Sequence, residues 1–249
     1  MRPLRGHYGG VRVLLLAASI WTPAPATEPW QLQLQGKVDV SVEASVYDVD
    51  GADTPAAKVR KVHRRGAHAV CYFSAGSYEN WREDRSRFPA RVLGKPLEGW
   101  PGERWLDVRE RQALLPIMRR RMKRCARKGF DAVDPDNVEG YQHDTGFPLS
   151  SRDQLRYNRA LARQAHDLGL AIGLKNDLGQ VPHLVDAYDF AVNEQCFQYR
   201  ECGRLRPFIR AGKAVFNVEY GPLRCERSHS LEFSSIRKRL NLRRWRRTC

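Results

Sequence analysis

The chain has 249 residues, is 42% hydrophobic and carries a formal charge of +15. That is enough apolar material for one large core, so a single domain is expected, and a single barrel fits the length. The charge invites a nucleic-acid reading, but the basic run Arg119 to Lys128 continues a segment to which Leu114, Leu115, Ile117, Met118 and Met122 give an apolar stripe at helical spacing. Its arginines are therefore the wet side of an amphipathic helix, and nucleic acid is not the expected partner. Binding to an acidic polymer or a membrane surface stays open.

Arg2 and Arg5 precede an apolar run at 11–20, and Pro23, Ala24, Pro25 and Ala26 follow it. This is the order of a positive n-region, a short h-region and a small-residue exit. The run is too short to cross a bilayer. Residues 1–26 are expected to be a signal peptide cut near Ala24 or Ala26, and 27–249 the folded domain; Arg12 inside the run keeps an uncleaved helix or anchor as the alternative.

From residue 30 onward, β-rich runs fall at 31–36, 46–50, 68–74, 104–108, 132–136, 171–175, 190–194 and 214–219. Helix-sized stretches lie between most of them, at 54–65, 111–128, 151–168 and 205–211. Gly66, Gly129, Gly169 and Gly212 each precede a predicted strand, where a helix needs a left-handed cap. Ser150 and Asp153 offer N-cap chemistry to the helix they open. Residues 77–102, rich in Trp, Pro and charge, are expected to form a loop over the strand mouths. The tail 237–247 reads as another amphipathic helix, with Ile236, Leu240, Leu242 and Trp245 facing inward.

The alternation predicts an α/β fold, a (β/α)₈ barrel with a closed parallel sheet. A doubly wound open sheet competes, but Gly36-Lys-Val-Asp-Val40 is not the Gly-rich phosphate turn such a sheet usually carries. Cys196 with Cys202 and Cys225 with Cys249 are expected to form disulfides in an oxidising compartment. Cys71 and Cys125, in an apolar strand and a helix, are expected to be free core thiols. The C-terminal cysteines match no common zinc spacing, and His229 is their only nearby helper.

Active-site groups of such barrels sit at the C-terminal strand ends. Those ends read Asp48 and Asp50, Ser74, Asp107, Asp136 and Asn137, Lys175 with Asn176 and Asp177, Asn193 and Glu194, then Glu219. Tyr47, Tyr72, Trp81, Trp100, Trp105, Tyr141 and Tyr220 are expected near the same rim. Carboxylates among aromatic faces resemble a sugar site. Glycosidic cleavage needs two carboxyl groups across the scissile bond, and Asp136 and Glu194 are the candidates. Asn193 offers a ligand for a sugar hydroxyl, and Lys175 can shift neighbouring pKa values.

Plain structural roles compete at each position. Asp48 and Asp50 could simply end a strand, and Glu219 or Lys175 could be an ion-pair partner. The Asp134-Pro-Asp-Asn137 stretch is also good turn chemistry, and Pro135 is expected to stop its strand near Asp134. A Lys175 Schiff base would want an apolar surround, whereas Asn176 and Asp177 follow it. No histidine joins the strand ends, so transition-metal hydrolysis is not expected, and no metal or cofactor is invoked.

The segments Trp30-Gln-Leu-Gln-Leu-Gln-Gly36, Val46-Tyr-Asp-Val-Asp50, Cys71-Tyr-Phe-Ser-Ala-Gly-Ser-Tyr-Glu-Asn-Trp81, Gly129-Phe-Asp-Ala-Val-Asp-Pro-Asp-Asn137, Gly173-Leu-Lys-Asn-Asp177, Phe190-Ala-Val-Asn-Glu-Gln-Cys196 and Val215-Phe-Asn-Val-Glu-Tyr220 together resemble glycoside hydrolase family 114, the endo-α-1,4-polygalactosaminidases. The resemblance implies a secreted or extracytoplasmic (β/α)₈ barrel that cuts α-1,4-linked galactosamine polymers internally, with Asp136 and Glu194 as the catalytic pair. The expected partner is a polysaccharide, without stable membrane insertion, and the expected state a monomer. Two positions depart from the family pattern: Asp134 stands where many relatives carry Glu, and Leu32 where Trp is often seen, which would weaken a stacking subsite. A galactosamine polymer is cationic and a +15 protein repels it at long range. Either the cleft is locally acidic, or the substrate is neutral or acidic. A non-catalytic carbohydrate-binding or cell-envelope protein on the same barrel is the alternative.

Overall fold

Eight parallel strands pair in chain order in the computed structural model, which describes residues 20–25 and 29–249. They are β1 (Trp30–Gln33), β2 (Val46–Asp50), β3 (His68–Ser74), β4 (Ala132–Asp136), β5 (Ala171–Lys175), β6 (Phe190–Glu194), β7 (Val215–Glu219) and β8 (Ser234–Lys238). A short strand, Arg246–Thr248, runs antiparallel along β8. The ring is nearly closed: the Trp30 indole N–H donates to the Ser234 carbonyl at 2.8 Å, and the Leu34 amide to Leu242 at 3.0 Å. Among the described residues no helix is long and apolar enough to cross a membrane. The expected signal segment lies outside the described residues except for 20–25.

Helices cover the outside of the ring: α1 (Ala56–His63), α2 (Arg111–Lys128), α3 (Ser151–His166), α4 (Val181–Leu184), α5 (Arg206–Arg210) and α6 (Cys225–Ser230). The stripe read from the sequence is the buried face of α2, with Leu114, Ile117, Met118, Met122 and Cys125 inward. Gly129 ends that helix at φ 88°, a left-handed conformation that costs a residue with a Cβ more than it costs glycine. Ser150 accepts from the Asp153 amide while the Asp153 carboxylate accepts from Ser150, a capping box that stabilises α3 by about 1 kcal/mol.

The two faces of each strand have different fates because successive side chains alternate. Tyr47, Val49, Cys71, Phe73, Val133 and Ile172 point outward into the large apolar layer under the helices. Val46, Val70, Ala132, Ala171 and Phe190 point into the ring, where Trp30, Phe216 and Ile236 join them. Two and four residues further along the same inward faces stand Asp48 and Asp50, Tyr72 and Ser74, Asp134 and Asp136, Gly173 and Lys175, and Val192 and Glu194. The barrel interior is thus apolar at its N-terminal end and ionisable at its C-terminal end. Residues 20–25 lie across the apolar end: Trp21 stacks on His68 at 4.3 Å, and the Ala214 amide bonds to Pro23.

Five expectations are corrected. The run at 104–108 is not a barrel strand; Glu103–Leu106 is the centre of an antiparallel side sheet with Ser77–Glu79 and Leu93–Pro96. The stretch expected to be a loop over the mouths does lie there, but it carries this sheet of its own. The missing barrel strand is β8, in a tail expected to be helical, where Leu240 and Trp245 are exposed instead of facing inward.

Nor does Pro135 stop its strand: Phe73 pairs with Pro135 and Ser74 with Asp136. The proline is tolerated because the ladder on the β5 side has already ended at Val133–Ile172, so its missing N–H removes no bond there. Finally, Cys71 and Cys125 are not free. The outward face of β3 and the buried stripe of α2 meet, and the two thiols form a disulfide with Cα atoms 6.1 Å apart. Cys196–Cys202 and Cys225–Cys249 are bonded as expected.

Candidate active site

Asp136, Lys175 and Glu194 are the last residues of three adjacent strands, β4, β5 and β6. Each strand then turns away sharply, because the next residue is left-handed: Asn137 at φ 61°, Asn176 at φ 51° and Gln195 at φ 65°. Asparagine tolerates this region better than most residues, and the turns leave the three charged side chains projecting from the strand ends. Gly76 abuts the first of these turns, where a Cβ would stand 1.6 Å from the Asn137 carbonyl oxygen.

The Lys175 ammonium lies 3.2 Å from Asp136 Oδ1 and 3.4 Å from Glu194 Oε2. Sharing one nitrogen, those two oxygens are at most about 6.6 Å apart, the sum of the two contacts. The remaining oxygen of each carboxylate accepts from a phenol: Tyr72 donates to Asp136 Oδ2 at 2.7 Å, and Tyr220 donates to Glu194 Oε1. Asn176 Oδ1 takes the Glu194 amide at 2.9 Å and the Asn193 side-chain amide at 3.2 Å, fixing the end of β6. Asn137 donates to Ser74 at 2.9 Å.

Burial alone would depress the Lys175 pKa, but the carboxylates of Asp136, Glu194 and Asp134 outweigh it and hold the ammonium well above its ordinary range. Burial, reinforced by the carboxylate each phenol bonds, raises Tyr72 and Tyr220 and keeps both as donors. Asp48 and Asp134 face each other deeper in the barrel. Burial and the neighbouring Asp134 charge push Asp48 well up; burial raises Asp134 to about 7, Lys175 opposing and Asp136 adding to it. Burial, with the charge of Asp136, likewise raises Glu139.

The trio opens into a cleft of about 800 Å³ that the side sheet walls on one flank. Seven carboxylates line it (Asp50, Asp53, Glu79, Glu103, Asp136, Glu139 and Glu194) against three cations, Arg82, Lys175 and Arg243. Arg82 is already committed, at 2.6 Å from Asp50 and 2.7 Å from Glu79. Trp81 and Trp100 stand about half exposed on the rim. In a chain of +15, this cleft is the acidic exception.

Of the expected site residues, Asp50, Tyr72, Asp136, Asn137, Lys175, Asn176 and Glu194 line the cleft. Tyr220, Ser74 and Asn193 touch these residues from behind, and Asp48 lies beneath with Asp134. Three are elsewhere. Asp107 pairs with Arg109 at 2.7 Å at the end of the side sheet; Glu219 accepts from the Phe197 amide at 3.0 Å and from Asn217; Tyr141 is turned toward Gly179 and Asp177. Among the expected rim aromatics, Tyr47 is buried under the barrel wall and Trp105 stacks on His143. Leu32 is buried in the barrel's inner apolar cluster rather than at the cleft. Asp53, Glu79, Arg82, Glu103 and Glu139 were not legible as cleft residues. The one hint was the charge density of 77–102.

The sequence profile of glycoside-hydrolase family GH114 matches residues 14–249. Ega3 of Aspergillus fumigatus, solved in complex with galactosamine, is 36% identical over 93% of this chain and 98% of its own, with a TM-score of 0.87. The glycoside hydrolase domain of PelA from Pseudomonas aeruginosa is 13% identical over 88% of this chain and 98% of its own, with a TM-score of 0.69, a likeness of fold. No curated protein matches the sequence.

Proposed function

Because the chain belongs to glycoside hydrolase family GH114 and is a glycoside hydrolase, we propose that it is a secreted enzyme that cuts α-1,4-linked galactosamine polymers internally, using Asp136 and Glu194. Glu194 gives a proton to the leaving glycosidic oxygen, and Asp136 attacks the anomeric carbon or activates the water that does. Lys175 holds both carboxylates in place between turnovers, Tyr220 orients Glu194 and Tyr72 orients Asp136.

One observation carries the substrate class: the excess of carboxylates in the cleft of an otherwise strongly basic chain. A polymer of protonated amino sugars is attracted there and repelled elsewhere. The galactosamine bound to Ega3, the 36%-identical relative, supports the same choice. The disulfides support an oxidising, extracytoplasmic setting.

Asp136→Asn and Glu194→Gln, each checked for folding by circular dichroism, should lower reducing-end release from an α-1,4-galactosaminan by about 10²–10⁴-fold. Full activity in either variant removes that residue from the mechanism.

A further inference from the structure

A second concavity, of about 630 Å³, lies between α2 and α3 on the outside of the barrel and shares no residue with the cleft. Leu115 and Pro116 give it apolar surface, and Gln112, Gln164 and charged side chains supply the rest. Most of those charges are matched. Arg109 pairs with Asp107 at 2.7 Å, Arg119 reaches Asp167 beyond the end of α3 at 3.4 Å, and Glu110 takes Arg91 at 3.3 Å. Arg111 is not matched, and Arg152, Arg156 and Arg163 recur at helical spacing on the exposed side of α3. None of these four arginines makes an ion pair among the described residues, and the single carboxylate of α3, Asp153, is committed to the capping box. The side-chain carbonyl oxygen of Gln164 is buried without a hydrogen-bond partner.

We propose that this groove is a binding site for an acidic polysaccharide, a chain of uronate units, by which the protein lodges on a matrix polymer while its cleft stays open. The inference does not depend on which polymer the cleft cuts. Unmatched guanidinium groups attract a polyanion, and each presents a planar fork that fits a carboxylate bidentately. Leu115 and Pro116 accept the C–H face of a sugar ring, and the orphaned Gln164 oxygen needs a donor that a sugar hydroxyl supplies. Single-stranded nucleic acid would want stacking platforms, and a membrane would want apolar side chains to insert. The exposed large apolar residues, Trp81, Trp100, Tyr199, Leu240 and Trp245, all lie off α2 and α3. A nucleic-acid duplex, stiff over about 150 base pairs, does not bend into a groove between two helices.

The test titrates a fluorescently labelled galacturonate oligomer with the full chain, by anisotropy, at about 50 and about 200 mM salt. Arg111→Glu combined with Arg163→Glu should weaken binding by about tenfold and make its salt dependence shallower. Arg206→Glu combined with Arg210→Glu changes the charge equally at exposed arginines of α5 and should shift affinity by less than about twofold. Gln164→Leu leaves the charge alone and, once folding is verified by circular dichroism, should weaken binding several-fold with the salt slope unchanged. Equal losses in the two double variants would mean diffuse attraction by net charge and would overturn the site, as would unchanged affinity in folded Gln164→Leu. No measurable binding at the lower salt overturns it too, and so does tighter binding to a DNA duplex or to phosphatidylserine vesicles than to the uronate chain.

Discussion

Asp48 and Asp134 meet carboxyl to carboxyl inside the barrel, and none of their four oxygens has another hydrogen-bond partner. Two buried carboxylates in contact repel, so the pair is stable only while it shares a proton.

This sets the direction of the stability–pH curve. Asp134 and Glu103 are raised to about 7 and Asp177 to about 8, burial being the largest cause in each. A raised carboxyl keeps its proton longer in the folded state, so its contribution is full below the unfolded value and is lost as pH rises through the folded one. His166, raised by its bond to Asp189, acts in the same sense, while His143, lowered by burial, opposes. The urea midpoint should therefore fall between pH 5 and pH 7. Asp48→Asn gives Asp134 an amide donor in place of the shared proton and should flatten that fall. A midpoint that climbs over this interval contradicts the assignment.

Lys175 is the cation that Asp136 and Glu194 share, and its side chain is 2% exposed. Lys175→Met leaves the two partly buried carboxylates of Asp136 and Glu194 uncompensated and is expected to cost about 1–3 kcal/mol of stability. It should also lower kcat by about 100-fold under conditions where the variant is fully folded, because neither carboxylate is then held in position. Urea melts and single-temperature kinetics separate the two effects, and wild-type kcat would refute the positioning role.

The Cys71–Cys125 bond joins residues 54 apart in sequence, whereas Cys196–Cys202 spans 6. By chain entropy the first should stabilise by about 4 kcal/mol and the second by about 2. Paired alanine variants compared by chemical unfolding test the order. The reverse order would mean that the β3–α2 contact is already restrained without the bond.

Gly76 leaves no room for a side chain against Asn137. Gly76→Ala should displace the turn after Asp136 and reduce activity more than tenfold even where the protein still folds. Gly203→Ala, in open space, is the control and should leave activity unchanged. Equal activity in the two variants would dissociate that turn from catalysis.

Much of this arrangement was legible because strand parity is written in the sequence. Val46, Asp48 and Asp50, or Ala132, Asp134 and Asp136, already show an inward face changing from apolar to acidic. The misreadings have equally local causes. Glu103–Leu106 looks like any half-buried strand, and nothing in four residues tells an antiparallel side sheet from a barrel wall. β8 was hidden by Lys238, which reads as surface but is 1% exposed, its ammonium bonded to Gln31 and to the Arg243 carbonyl. Cys71 and Cys125 each fit an apolar neighbourhood; only the packing of α2 on β3 shows that the neighbourhood is shared. Glu79 and Glu103 reach the cleft through a fold-back of the insertion, which carries no periodic signal.

The contrast between a basic exterior and an acidic cleft has a further consequence for a polycationic substrate. Such a polymer is repelled by the net positive charge of the chain as a whole, so little of the enzyme is titrated away by unproductive adsorption. Added salt weakens that rejection and the capture at the cleft together. Ionic strength then governs not only how tightly the enzyme holds a strand but how freely it percolates between strands before finding one.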